Sequence, residues 1–130
     1  MLERILIADD LTPILTAVTT LLNNSFEVVG TVSNGQAAID AILELKPDLV
    51  ILDISMPGKN GLEVARELKS LASAPRIVFL TVHEDPDIIA ACLSAGAKGY
   101  VLKSLMDSDL IPAVNDALAG RIFVSQMSSV

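Results

Sequence analysis

Five residues of this chain could do chemistry together. They are the acid pair Asp9-Asp10, a third acid at Asp53, a hydroxyl at Thr81 and an amine at Lys103. Each closes or directly follows a short apolar run: ILIA, DLVIL, RIVFL and GYVL. Three carboxylates brought close together repel one another, and left unpaired they rise in pKa. A hard divalent cation relieves this, because Mg²⁺ takes oxygen ligands and is commonly held by one or two carboxylates with water and phosphate oxygens. A carboxylate beside Mg²⁺ can attack a phosphoryl group and become an aspartyl-phosphate. The transferring group carries charge on three oxygens. Mg²⁺, the Thr81 hydroxyl and the Lys103 ammonium would each answer one of them. Taken singly, every one of these residues also has an ordinary use as a cap, a turn, a strand end or a solvated charge. Independent caps, however, have no reason to fall after matching strands.

Those strands are read from hydrophobic periodicity, which alternates short apolar runs with helical spacing five times. Arg4–Ala8 reads as a buried strand. Thr12 offers a side-chain N-cap with Pro13 at the first helical position, and Ile14, Leu15, Val18, Leu21 and Leu22 form one apolar helix face. Residues 27–32 form a second strand. Asn34-Gly35 opens a helix that Pro47 ends. Asp48–Leu52 is a central strand buried on both faces, followed by the turn cluster MPGKNG and a helix marked by Leu62, Ala65, Leu68 and Leu71. Arg76–Leu80 is the fourth strand, Pro86 begins a helix closed at Gly96, and Gly99–Leu102 is the fifth strand. The last helix is capped by Gly120. Pro112 fits best in a first turn, so that helix is expected to start near Ser108 or Asp109. Five such units imply an α/β fold: a parallel five-stranded sheet, right-handed crossovers and helices on both faces. Ligands in this architecture bind beyond the carboxyl ends of the strands, at the switch point in strand order. In the flavodoxin-like order 2-1-3-4-5, strands one and three are neighbours and the three acids converge.

Composition narrows the function classes. The 130 residues carry 9 Lys+Arg against 16 Asp+Glu, a formal net charge of −7, with one Tyr and no Trp. That balance argues against an electrostatic nucleic-acid surface. An apolar content of 52% excludes disorder. No run is long enough to span a membrane, no signal peptide is visible, and a lone Cys92 fits the reducing cytoplasm. No GxxxxGK[ST] loop is present, which speaks against an NTPase.

The motifs ILIADD, DLVILDISMPGKNGLE, FLT and GAKGYVLK together resemble the bacterial two-component receiver domain of response regulators, over residues 4 to about 120. TVHEDP and GRIFVSQ further resemble receivers of the LuxR/NarL (FixJ) type. The resemblance implies Asp53 as phosphoacceptor, with Mg²⁺ bound directly by Asp10, through water by Asp9, and by Asp53 and the backbone carbonyl of Ser55. It implies Thr81 and Tyr100 as a switch pair and Lys103 as the lysine on the phosphoryl oxygens. It implies a histidine kinase as phosphodonor, homodimerisation on phosphorylation, and no multiple-turnover activity. Three departures stand out. Val82 is bulkier than the small residue many receivers place after the switch hydroxyl, which would narrow access to the phosphoryl group. Ser104 replaces the Pro that often follows the lysine, so a cis bond is not assumed. His83, at a variable position near the site like Ser55, is expected to be a solvated loop residue. Residues 1–120 are read as the receiver and 121–130 as the start of a linker toward a C-terminal DNA-binding output domain that lies outside this chain. The alternatives are a stand-alone receiver or adaptor acting by protein contact, and an Asp-nucleophile phosphohydrolase. Ser55 counts against the last, because such enzymes resemble a pattern with a second carboxylate two residues after the nucleophile.

Overall fold

A computed structural model describes residues 2–128. The elements run β1 (Arg4–Ala8), α1 (Thr12–Leu22), β2 (Glu27–Val32), α2 (Gly35–Leu45), β3 (Leu49–Leu52), α3 (Gly61–Leu68), β4 (Arg76–Thr81), α4 (Pro86–Ser94), β5 (Gly99–Leu102), α5 (Met106–Leu118) and β6 (Phe123–Val124). All pairings are parallel, in the order β2-β1-β3-β4-β5-β6. The flavodoxin-like doubly wound sandwich is therefore present with one strand more than periodicity indicates.

Alternation along the strands divides the core in two. Leu6, Ala8, Val50, Leu52 and Phe79 pack with α2, α3 and α4 through Ala38, Ile42, Val64, Leu68 and Cys92. Ile5, Ile7, Leu49, Ile51, Val78 and Leu80 pack with α1 and α5 through Val18, Leu22, Leu110 and Val114. All four residues of β3 are buried, as expected of a central parallel strand covered on both faces. Truncating one of them, Leu52→Ala, would cost about 2–5 kcal/mol.

Several local readings are corrected. Thr12 is the first residue of α1, and Leu11 is the N-cap, with no side-chain cap. The Asp9 side chain takes the Leu11 N–H at 2.9 Å instead. Asn34-Gly35 opens α2 as expected, and the structure adds that the Asn34 side chain caps it by accepting from the Ala37 N–H, while Lys46 ends the helix at φ 49° just before Pro47. Helix α3 ends at Leu68, so Leu71 packs from the following loop. Its start carries a capping box between Asn60 and Glu63. Helix α5 begins at Met106 after a single 3-10 turn (Lys103–Leu105), and Pro112 lies inside it. The proline leaves the Ser108 carbonyl without its helical partner, a cost of about 3 kcal/mol in a helix interior. Ser108 is exposed, so water can satisfy that carbonyl, and burial of Leu110, Ala113, Val114 and Ala117 offsets the loss. The Lys103-Ser104 bond is trans, as are the other described peptide bonds.

The segment read as a linker start contains β6. Phe123 and Val124 pair with Gly99 and Tyr100, and Phe123, Ser125 and Met127 turn inward at a period of two. Residues 129–130 of that segment lie outside the described residues. No described helix is long and apolar enough to cross a membrane.

Candidate functional site

The ladder of the sheet carries the acids past the strand ends. The Asp9 N–H donates to the Val32 carbonyl at 3.0 Å, and the Asp53 N–H donates to the Ala8 carbonyl at 2.9 Å. Two backbone bonds thus hold these side chains over the carboxyl ends of adjacent strands. Asp10, one residue on, is exposed. Carboxylate oxygens of Asp9, Asp10 and Asp53 lie within 4.8 Å of one another, as strand order required, and could hold a metal ion.

Two of the three acids are almost dry: Asp9 is 2% exposed and Asp53 is 4% exposed. Lys103, directly after β5, reaches both. Its Nζ is 2.9 Å from Asp9 Oδ2 and 3.2 Å from Asp53 Oδ2. The Lys103 ammonium donates a hydrogen bond to Asp53. The approach to Asp9 Oδ2 is close enough for an ion pair but off the hydrogen-bonding angle, so that buried oxygen has a counter-charge and no aligned donor. Its Oδ1 is taken by the Leu11 N–H, and Asp53 Oδ1 accepts from the Ile54 N–H at 2.8 Å. Three clustered carboxylates sharing one ammonium are the kind of donor set a hard cation satisfies.

The two buried carboxylates exceed the one ammonium by a formal charge, and Asp10 adds a second. Burial, reinforced by the neighbouring Asp9, raises the Asp53 pKa above the ordinary carboxylate value against the opposing pull of Lys103. Burial disfavours the Lys103 ammonium, but the Asp9 and Asp53 carboxylates outweigh it and hold its pKa above that of a free lysine.

Thr81 ends β4, fully buried, and its Oγ1 accepts the His83 N–H at 3.3 Å, so the hydroxyl is engaged with its own loop. Tyr100, in β5, is also fully buried, and its hydroxyl donates to the His83 carbonyl at 2.7 Å. Burial raises its pKa and keeps it a phenol. Val82 is 68% exposed and points to solvent. His83 departs from the expectation of a solvated loop residue. It is half-buried, and its Nε2 shares a hydrogen bond of 2.9 Å with Ser55 Oγ, joining the loops after β3 and β4. Periodicity gives no sign of that contact, because its partners lie 28 residues apart on unstructured loops. The only sequence signal was that both residues flank the strand-end cluster.

Gly61 was also missed. A Cβ there would lie 2.1 Å from the Asp53 carbonyl oxygen. Only glycine lets the start of α3 approach Asp53 so closely. Cys92 is buried and unpaired, and burial pushes its thiol up to about 11. It has no part in the site. A cleft of about 500 Å³ lined by Ile42, Pro47, Asp48 and Pro75 opens beside the amino ends of β3 and β4, away from the acids.

The sequence profile of the response regulator receiver domain matches residues 5–115. The chain belongs to that family. The nitrate/nitrite response regulator NarL of Escherichia coli K12 is 37% identical over 124 residues, which cover 94% of this receiver and 57% of NarL. The transcriptional regulatory protein DesR of Bacillus subtilis 168 is 39% identical over 126 residues, covering 95% of this receiver and 62% of DesR. Among solved structures, a LuxR-family two-component response regulator from Aurantimonas sp. SI85-9A1 superposes with a TM-score of 0.88 at 30% identity, covering 95% of this chain and 89% of that one. The receiver thus spans about three-fifths of the length of these curated relatives. Its family is generally one of signalling and not of catalysis.

Proposed function

We propose that this receiver is a phosphorylation-activated switch that accepts a phosphoryl group from a histidine kinase onto Asp53. The observation that carries the reading is the pairing of two buried carboxylates with the single Lys103 ammonium, 2.9 Å and 3.2 Å away. A site whose three carboxylates outnumber its one ammonium by two is suited to a divalent cation.

Asp10 and Asp53 would hold Mg²⁺ directly, with Asp9 through water and the Ser55 backbone carbonyl as a further ligand. Bound there, Mg²⁺ would neutralise the acids and the incoming phosphoryl oxygens. An Asp53 oxygen attacks phosphorus, the new P–O bond forms as the donor's P–N bond breaks, and the departing imidazole keeps the nitrogen electron pair. Lys103 then turns from carboxylate to phosphoryl oxygen, and the Thr81 hydroxyl leaves the His83 N–H for another. Tyr100, whose hydroxyl is held by the same His83, follows the loop. Thr81 and Tyr100 are thus the two-state element, biasing the face built by α4, β5 and α5.

The switch would serve a longer, cytoplasmic transcription regulator. Residues 1–120 would be the regulatory domain and 121–130 the beginning of the connection to a DNA-binding domain. The similarity to DesR, a transcriptional regulatory protein, supports that reading. Phosphorylation would then act through protein contact, by dimerisation or by freeing the output domain, and DNA would be met only through that domain.

The deciding experiment is incubation with acetyl phosphate and Mg²⁺, following protein mass and released phosphate together. A switch gives one phosphoryl adduct per chain and only slow phosphate release. Sustained turnover without an accumulated adduct identifies a phosphohydrolase, and neither adduct nor turnover leaves an unphosphorylated adaptor.

A further inference from the structure

The tail after α5 is wired to the same loop that holds Thr81 and Tyr100. The Phe123 N–H donates to the Lys98 carbonyl at 3.0 Å, and the Ser125 N–H donates to the Tyr100 carbonyl at 2.8 Å. Ser125 is 3% exposed and uses its hydroxyl twice. The hydroxyl accepts the Leu102 N–H at 3.2 Å and donates to Asp109 Oδ2 at 2.6 Å, locking the tail to β5 and α5 together. Met127 packs on the cluster that contains Tyr100 and Leu102. Beyond it, the Ser128 N–H donates to Glu84 Oε1 at 2.9 Å.

These contacts place Tyr100 between two masters. Its main-chain carbonyl is held by the tail, and its hydroxyl by the His83 carbonyl. Glu84, the next residue in that loop, is the far anchor of the tail. A displacement of His83 would break the phenol bond and draw Glu84 from Ser128, while the Ser125 clamp, which touches only β5 and α5, would stay closed. The attachment therefore has a firm half at residues 123–125 and a conditional half at residues 126–128.

We propose that residues 123–128 form a strap whose distal half is released from Glu84 when the Thr81 loop moves, so that the strap hands the state of the site to whatever follows the C-terminus. This rests on the reading of Asp53 as phosphoacceptor only for the stimulus; the coupling of strap to Tyr100 is present without it. The proposal assigns Ser125 and Glu84 roles as positioning residues.

The test has two arms. In the first, amide hydrogen exchange of the full chain is followed with and without acetyl phosphate and Mg²⁺. Loss of one hydrogen bond of about 1 kcal/mol corresponds to roughly fivefold faster exchange. That increase is expected at the Ser128 amide of the phosphorylated protein, whose N–H is held by Glu84, with the Phe123 and Ser125 amides still protected. Glu84→Ala should give the same local increase unphosphorylated. An Asp53 adduct with unchanged exchange at the Ser128 amide overturns the proposal while leaving the function intact. The second arm needs no phosphoryl group. Tyr100 is the only Tyr in a chain without Trp, so intrinsic emission reports its environment alone. Ser125→Ala, a small change that removes only the clamp, should shift that emission, and Ser125→Thr, which retains a hydroxyl, should shift it less. Emission identical to wild type in Ser125→Ala overturns the proposal whether or not Asp53 accepts phosphate. Absence of any adduct in the first arm counts against the function, and the emission arm alone then decides the strap.

Discussion

Replacing Lys103 by Met, similar in length but uncharged, isolates what the ammonium does for the acids. At an effective dielectric near 20, its contacts of 2.9 Å and 3.2 Å are worth about 6 and about 5 kcal/mol of Coulomb attraction. Most of that is spent against the desolvation of three nearly buried ions. Without Lys103, carboxylate oxygens within 4.8 Å repel by at least about 3.5 kcal/mol. The loss has a ceiling, because an acid can protonate instead. Holding a proton at pH 7 on a group of ordinary pKa near 4 costs about 4 kcal/mol, at about 1.36 kcal/mol per unit. The expected destabilisation in EDTA at pH 7 is therefore about 3–4 kcal/mol, to be read from urea unfolding by circular dichroism. The sign of the pH dependence follows from the Asp53 pKa, which is already raised in the folded protein and rises further without Lys103. A carboxyl of raised folded pKa contributes stability below its unfolded pKa and loses it as pH climbs through the folded pKa. The deficit of Lys103→Met should thus shrink to about 1–2 kcal/mol at pH 5, and Mg²⁺ should recover part of it at pH 7. A loss under about 1 kcal/mol in EDTA at pH 7, or one independent of pH, would refute the reasoning.

Thr81→Ala should still accept phosphate at Asp53, since nucleophile and metal ligands remain, but transmit it poorly. A full wild-type spectral change over α4, β5 and α5 in the phosphorylated variant would defeat that expectation. Gly61→Ala must move either the start of α3 or Asp53 itself, because the new Cβ falls on the Asp53 carbonyl. It should lose about 1–3 kcal/mol by overpacking and phosphorylate more slowly, and wild-type values in both unfolding and acetyl phosphate kinetics count against it. Mg²⁺ titration by calorimetry should be impaired more by Asp10→Ala than by Asp9→Ala, and the reverse order would exchange their roles.

What could be read from the residues depended on how local its cause was. The buried run of β3, the acid after it and the Asn34-Gly35 opening of α2 each follow from neighbours a few positions away, and all appear where periodicity puts them. Convergence of Asp9, Asp10 and Asp53 needed strand order as well, which came from the flavodoxin-like form of the architecture and not from any local residue pattern. The errors arose where a distant group overrode a local rule. The first turn of α1 starts one residue earlier than a Thr12 cap allows, with Leu11 tied back to Asp9, and packing of Leu110 and Val114 carried α5 back past the point Pro112 suggested. Strand β6 escaped because a two-residue ladder leaves almost no pattern. The alternation of Phe123, Ser125 and Met127 was its one visible trace. The His83–Ser55 bond has no local cause at all.

The central claim is that Asp53 itself becomes the acyl phosphate, and reductive trapping addresses it most directly. Borohydride reduces an aspartyl-phosphate to homoserine, which peptide mass spectrometry locates. After treatment with acetyl phosphate and Mg²⁺, homoserine is expected at position 53 of the wild-type chain, and neither homoserine nor a phosphoryl adduct is expected in Asp53→Asn or in wild type kept in EDTA. Homoserine at Asp9 or Asp10, or an undiminished adduct in Asp53→Asn, would contradict it.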